Sequence, residues 1–461
     1  MASITGALHR INQDFSKHLP DDSIRAACVA TGHAWRERKL GPVQTIQLLM
    51  VQTLWFNTAI EHLRHLFGFP FSAAAYCKAR MRLPLEALQK LLVESSVSLR
   101  AAVGKGTAAV AAAAGTVDTS LWRGLRAFLV DGSSTISPDT PRLQKAFGQP
   151  AGQKPGCGFP VAKILGLFDA FTGMIVQMLA FALFTHEQSK VHQLHPHLKE
   201  GDLLVGDRGL CSFFHLAMLQ ARGVMACFRA HQRTLVDFTP GRPSRDKSPQ
   251  GKKTGKPTSI FLRKLGPHDQ VVRYARPPRA ADWMSKAQWE ATPEWLDIRE
   301  LQYTVSAKGM RTRHITIATT LLDPALYPAE AIAELYNVRW QVETHFNELK
   351  TTLKMRKLKS KTEDGIRKEL AAYCLVYNLV RAVMVKAAAQ QGVTPDRISF
   401  IDAIRWLLTA APGQAIPRLV VNRKRNRQEP RVKKDRGTSY PWMTKPRREL
   451  QQALEKQGEM A

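Results

Sequence analysis

The chain has 461 residues, 44% of them hydrophobic, and sets 67 Lys and Arg against 38 Asp and Glu, a formal charge of +29. This excludes a disordered tail or a peptide-sized scaffold and leaves room for two or three domains around a substantial core. The basic residues are spread along the chain and do not line one amphipathic anchor. They point to a polyanionic partner, with nucleic acid ahead of ribosomal attachment or a membrane surface.

The six cysteines (Cys28, Cys77, Cys157, Cys211, Cys227 and Cys374) form no C-x-x-C pair and have no histidines at zinc spacing. They read as reduced, mostly buried thiols of a cytoplasmic protein. No apolar signal region opens the sequence, and the Ala-rich run 101–115 is short and interrupted by Lys105. No membrane passage is expected.

In chain order, residues 1 to about 100 read as helical from their apolar spacing. Within them Gly68 and Pro70 make a turn and Ser72 is a candidate N-cap. The next helix presents Lys78, Arg80 and Arg82 before Pro84 closes it, a pattern compatible with a helix-turn-helix or with an ordinary basic helix face. The small-residue run 101–116 is a linker or a loosely packed helix, which sets a boundary near 118 and makes 1–118 a helical N-terminal domain.

Strand patterns then begin at 126–130, 162–168, 174–181 and 203–206, with a hairpin turn at 169–173, followed by a helix at 212–226 and a strand in ACFRAHQR. Residues 119–228 are thus the first part of an α/β core. The stretch 238–258 is a basic loop, and strands at 259–264, 270–275, 299–306 and 313–321 make 229–322 an inserted β-rich unit. Trp283, Trp289 and Trp295 fall in a segment of helical character, at a spacing that does not put all three on one face. Packing is their first reading and base stacking their second.

Residues 323–392 close the core with two helices, and 393–461 form a basic C-terminal region. Its run RKRNRQEPRVKKDRG, 423–437, includes Arg423, Lys424 and Arg425 and is either a solvated tail or a phosphate-contacting segment.

The most informative stretch is YNVRWQVETHFNELK, 336–350. On a regular helix Tyr336, Arg339, Glu343 and Lys350 fall within roughly 60° of arc, so a carboxylate shares one stripe with a phenol, a guanidinium and an ammonium. Leu335, Val338 and Val342 supply the buried side. Two aspartates complete the constellation: Asp131 follows the apolar strand RAFLV, and Asp207 follows LLVG. Asp139, Asp169 and Asp202 are rivals, but Asp169 lies in a turn and Asp202 precedes its strand. Glu348 is expected to point elsewhere.

Three ionised carboxylates about 5 Å apart repel by roughly 3 kcal/mol per pair at an effective dielectric of about 20. A divalent cation removes that objection, and oxygen-only ligands select Mg²⁺ or Mn²⁺ over zinc.

Asp131 in FLVDGSS, Asp207 in GDLLVGDRGL and the Tyr336, Arg339, Glu343, Lys350 spacing resemble the DDE transposases of the insertion-sequence-four family, the YREK group. AAYCKARMRLP and the basic C-terminal region extend the resemblance over most of the chain. It implies an RNase H-like catalytic core with a large β-strand insertion, preceded by the helical N-terminal DNA-binding domain. It also implies Asp131, Asp207 and Glu343 as ligands of Mg²⁺, with Mn²⁺ substituting, and cut-and-paste movement of the encoding insertion sequence.

In that reading Tyr336, Arg339 and Lys350 contact DNA phosphates. The partners are double-stranded DNA, as terminal inverted repeats and target, and a second copy of the chain on paired ends. The protein acts in the bacterial cytoplasm at the nucleoid. In one respect the sequence departs from some relatives: HITIATTLLD carries no aromatic where they hold a flipped base. An RNase H-like structure-specific nuclease and a non-catalytic, transposase-derived DNA-binding protein are the alternatives.

Overall fold

The computed structural model describes residues 19–36, 38–67, 70–113, 121–244, 256–305, 313–410, 414–422 and 443–457. Arg423, Lys424 and Arg425 lie outside the described residues. The N-terminal part is helical: α1 (Asp21–Ala30), α2 (Pro42–Leu54), α3 (Ile60–Phe67), α4 (Ala73–Arg82) and α5 (Leu85–Ala113). Pro42 occupies the first position of α2, where a missing N–H costs nothing. The Ser72 hydroxyl caps α4 by accepting from the Ala75 N–H at 3.1 Å. The small-residue run after residue 100 continues α5 to Ala113.

The strands form one nine-stranded sheet. In chain order the elements are β1 (Arg126–Ile136), α6 (Pro141–Phe147), β2 (Val161–Asp169), β3 (Ile175–Ala182), two 3-10 segments (Glu187–Ser189 and Val191–His197), β4 (Asp202–Gly206), α7 (Phe213–Gln220) and β5 (Met225–Arg229). Then come β6 (Ile260–Gly266), β7 (Asp269–Ala275), α8 (Lys286–Glu290), β8 (Trp295–Val305) and β9 (Arg313–Thr319).

The strand order is β3-β2-β1-β4-β5-β9-β8-β7-β6. β1, β4 and β5 are parallel neighbours, and the remaining pairings are antiparallel. The insertion β6–β9 therefore prolongs the sheet through the β5–β9 pairing. Trp295, placed by sequence in a helical stretch, opens β8 instead, where it pairs with Ala275 of β7.

The alternation also sorts the sheet into two faces. Ala127, Leu129, Leu203 and Val205 pack into one cluster with the N-terminal helices; Phe128, Val130, Leu204 and Phe228 pack into a second with α7 and the 3-10 segments. After β9 the chain enters α9 (Ala329–Val338) and α10 (Gln341–Asn347), a π turn over Glu348–Thr352, then α11 (Glu363–Gln391), α12 (Phe400–Thr409) and α13 (Arg447–Gln457).

Helix α11 is long and apolar enough to cross a membrane, yet its most apolar window is 94% buried inside the protein. It is the central helix of the first cluster, packed against α5, α2 and β3. Its Asn378 brackets the backbone of Ile175, accepting from the N–H and donating to the carbonyl, both at 2.7 Å. A buried bond from Asn57 to Glu369 at 2.8 Å ties the N-terminal helices to α11. All six cysteines are free thiols; Cys77 is exposed and the other five are buried.

Candidate active site

The parallel β1–β4 ladder ends with Val130 opposite Gly206. The next residue on each strand is an aspartate, so Asp131 and Asp207 meet as neighbours although 76 positions separate them. Period-two alternation puts both on the face of Leu129 and Val205, the face covered by α9 and α10. Asp131 is not at the end of its strand as the sequence implied: β1 runs on to Ile136, paired with β2 through Gly166, and the main chain of Ile136 also bonds to the segment after the π turn.

The three rivals are spent on structure. Asp202 is clasped by both nitrogens of Arg126 at 2.9–3.0 Å, and Asp139 pairs with Arg447 at 2.8 Å. Asp169 closes the β2–β3 turn and pairs with Arg100.

The helix over the two acids is not the single regular helix that the spacing predicts. Its hydrogen bonds tighten to three-residue spacing at Arg339–Trp340, where α9 gives way to α10, and widen to five-residue spacing at Glu348. Buried Tyr336 and Arg339, expected to face phosphates, face the aspartates: Tyr336 Oη donates to Asp207 Oδ1 at 3.4 Å, and Arg339 donates to Asp131 Oδ2 at 3.0 Å. Arg339 also lies near two aromatic rings, with its guanidinium carbon 5.6 Å from the centroid of Tyr336 and 5.2 Å from that of Trp340.

Within the π turn, Lys350 Nζ donates to Ser133 Oγ at 3.0 Å, two residues beyond Asp131 on the same face. Below, buried Glu348 accepts from Tyr377 Oη at 2.9 Å and lies 4.0 Å from Arg381.

Glu343 is exposed. Among the described residues no three His, Cys, Asp or Glu side chains stand as a preformed metal cage. Asp131 and Asp207 are brought together, and Glu343 lies four residues beyond the arginine that holds Asp131.

Burial pushes the Asp131 carboxyl up to about 6, and the charges of Asp207 and Glu187 add to the shift against the Gly132 N–H and Arg339. Burial also raises the Tyr336 phenol, and burial with the neighbouring Arg356 lowers Lys350. The donor chemistry fits a divalent cation: oxygen ligands only, on crowded carboxylates that one arginine does not balance.

Two side chains that the sequence did not single out belong here. Trp340 is 49% exposed beside Arg339. Glu187 is 56 positions from Asp131 and carries no local signal. Elsewhere, Arg80 lies 5.5 Å from the Tyr76 ring centroid and bonds to Gln52 and Ser360. Lys78 and Arg82 are exposed on α4. A hollow of about 740 Å³ between the loop at 148–156 and α13 contains none of the acids of the β1–β4 pair.

Two acids side by side where the parallel β1–β4 ladder stops, one held by an arginine and the other by a tyrosine, under a helix carrying a third acid in a strongly basic chain, suit metal-assisted chemistry on phosphodiester bonds. Residues 122–379 match the transposase DDE domain, more than half of the chain, and the protein belongs to that family. It is a DNA transposase, an enzyme of DNA cleavage and strand transfer.

The chain is 26% identical over 342 residues to the transposase InsG of insertion sequence element IS4 from Escherichia coli (strain K12), covering 69% of this chain and 70% of that one. It is 35% identical over 101 residues, 22% of this chain and 27% of the other, to the protein y4zB of Sinorhizobium fredii, which is named as a transposase. A cryo-EM structure of a piggyBac transposase synaptic complex with hairpin DNA shares 8% identity at a TM-score of 0.39, over 88% of this chain and 80% of that one.

Proposed function

We propose that this transposase moves its own insertion sequence by cut-and-paste and belongs to the YREK group, with Asp131, Asp207 and Glu343 as its catalytic acids. The observation that carries the proposal is the junction of Asp131 and Asp207 at the end of the β1–β4 ladder, each bonded to a residue of the Glu343-bearing helical segment. The order β3-β2-β1-β4-β5, with three antiparallel strands followed by two parallel ones, supports an RNase H-like core.

The residues that would hold a divalent cation are Asp131 and Asp207, with Glu343 joining from α10. Mg²⁺ suits these oxygens and Mn²⁺ would substitute. Such an ion supplies charge neutralisation at the phosphate and a more acidic attacking water. The protein supplies orientation. Asp131 is fixed at both oxygens, by the Gly132 N–H at 2.8 Å and by Arg339 at 3.0 Å. Tyr336 holds one oxygen of Asp207, and Lys350 keeps a positive charge beside Ser133, within reach of a phosphate entering over β1. Exposed Glu343 stands on the side open to DNA.

The formal charge of +29 supports contacts along a long duplex, as terminal inverted repeats and target, with Lys78, Arg82 and the run 423–437 as phosphate ligands. A homodimer on paired ends completes the proposal.

The test is to incubate the protein with DNA spanning the boundaries of its own gene, in Mg²⁺, Mn²⁺ or chelator, and to map the new 3′ ends for wild type and Glu343→Gln. Metal-dependent breaks at the element boundary, absent in the variant, are expected. Cleavage confined to branched DNA would replace the proposal with a structure-specific nuclease.

A further inference from the structure

The catalytic face is approached from the opposite side of the sheet by a fourth carboxylate. Glu187 opens the 3-10 segment after β3, among residues that pack with Phe128 and Val130. Its carboxyl group lies directly over Gly132: a Cβ added there would meet Cδ and Oε1 at 2.5 Å and Oε2 at 2.7 Å. Any other residue after Asp131 would push this carboxylate away. Gly132 therefore acts as a cradle through which Glu187 reaches β1 beside the first acid.

The turn that presents Glu187 is fixed. Ser189 Oγ donates to the His186 carbonyl at 2.7 Å, the Gln188 N–H donates to His186 Nδ1 at 3.2 Å, and the Lys190 N–H donates to the Glu187 carbonyl at 2.9 Å. The Gln188 carbonyl accepts from His215 Nε2 at 2.7 Å. Among the described residues no cationic side chain pairs with the Glu187 carboxylate. A hydrogen-bonded turn thus holds an acid with no cationic partner over Gly132, one residue from Asp131. Such crowding is unfavourable unless a cation is shared.

We propose that Glu187 is a fourth acid of the catalytic centre, helping Asp131 hold the divalent cation from the face of the sheet opposite α10. The inference rests on the metal-dependent reading given above. It assigns Gly132 the role of keeping the path open.

The experiment titrates Mn²⁺ alone into the full-length protein, following loss of the free-ion electron paramagnetic resonance signal, for wild type, Asp131→Asn, Glu187→Gln and Gly132→Ala. Glu187→Gln is expected to weaken Mn²⁺ binding about tenfold, the lower end of the range for residues supporting a metal. Gly132→Ala keeps every acid but displaces the flexible end of Glu187, and is expected to weaken binding similarly.

In chelator, Glu187→Gln should melt no lower than wild type, because it removes a repelling charge; a merely structural glutamate would show a loss. Wild-type Mn²⁺ affinity in either variant, with Asp131→Asn defective, overturns the inference and leaves the metal-dependent reading standing. Wild-type affinity in Asp131→Asn, or no Mn²⁺ binding by the wild type, overturns both.

Discussion

Arg339 Nη1 lies 3.0 Å from Asp131 Oδ2, joining the acid inside β1 to the helical junction that leads into Glu343. The contact is nearly buried on the arginine side, so it fixes the carboxylate while tempering its repulsion with Asp207. Removing one member of such a pair leaves the other uncompensated. Arg339→Ala is expected to lose about 3 kcal/mol of stability in urea unfolding and at least about a hundredfold in end cleavage. Arg339→Lys should recover only part of the activity, because a point charge does not reproduce the fork beside two rings. A full recovery would reduce the contact to simple charge balance.

Glu343 is exposed and outside the buried network. Glu343→Gln is therefore expected to change unfolding free energy by less than about 0.5 kcal/mol while abolishing cleavage and leaving DNA binding intact. Strand-nicking gels and mobility shifts on the same preparation check this. Cleavage at the wild-type rate would return Glu343 to the solvated face of α10.

Lys350 is tethered to Ser133 Oγ at 3.0 Å. If it meets a phosphate, Lys350→Ala will reduce the slope of log affinity against log salt by about one. Ser133→Ala removes the tether and keeps the charge, so its slope should match the wild type. Equal slopes for all three proteins would remove Lys350 from the DNA contact.

The π turn that aims Lys350 starts at buried Glu348, which accepts from Tyr377 at 2.9 Å. Tyr377→Phe strips that partner and is expected to cost about 1–3 kcal/mol in urea unfolding. Cleavage should fall further than stability predicts if the turn positions Lys350. An activity loss accounted for by the unfolded fraction alone would make the network purely structural.

Trp283 is stacked between His192 at 4.8 Å and His215 at 4.9 Å, with His195 edge-on to His215. Burial pulls His195 down to about 3, with His215, His192 and Arg222 adding to it, and pulls His215 down to about 4 against its bond to the Gln188 carbonyl. His192 is lowered by burial and by Lys190.

The unfolded chain binds these protons below about pH 6.5 and the folded one does not. Their contribution to stability is therefore present above about 6.5 and declines as pH falls toward 4, by up to about 1.4 kcal/mol per pH unit for each histidine. Urea unfolding between pH 7 and 4.5 should show the decline, and His215→Phe should flatten it. An unchanged slope in that variant would exclude His215 as its source.

Much of this organisation is written locally. The Ser72 cap, the alternation along β1 and β4, the turn at Asp169 and the apolar length of α11 are short-range features, set by backbone sterics, capping and side-chain period. They sufficed to place Asp131 and Asp207 directly after apolar strand segments, and to set Asp169 and Asp202 aside as structural. The regular 100° helix assumed for 336–350 did not show the tightening at Arg339–Trp340, the widening at Glu348 or the bonds of Tyr336 and Arg339 to the aspartates, because these depend on partners far along the chain. Trp295 was misread for a similar reason: its strand exists through pairing with Ala275 of β7.

By itself the sequence determined most strand and helix types, the parity that puts both aspartates on one face, and the charge that calls for a polyanionic partner, since these depend on residues close together or on simple sums. Only the tertiary structure decided that Val130 aligns with Gly206, that Arg339 is spent on Asp131, and that Glu187 arrives over Gly132. Register and side-chain partnership are chosen by long-range packing, and a pairing shifted by one residue would have turned the same acids away from each other.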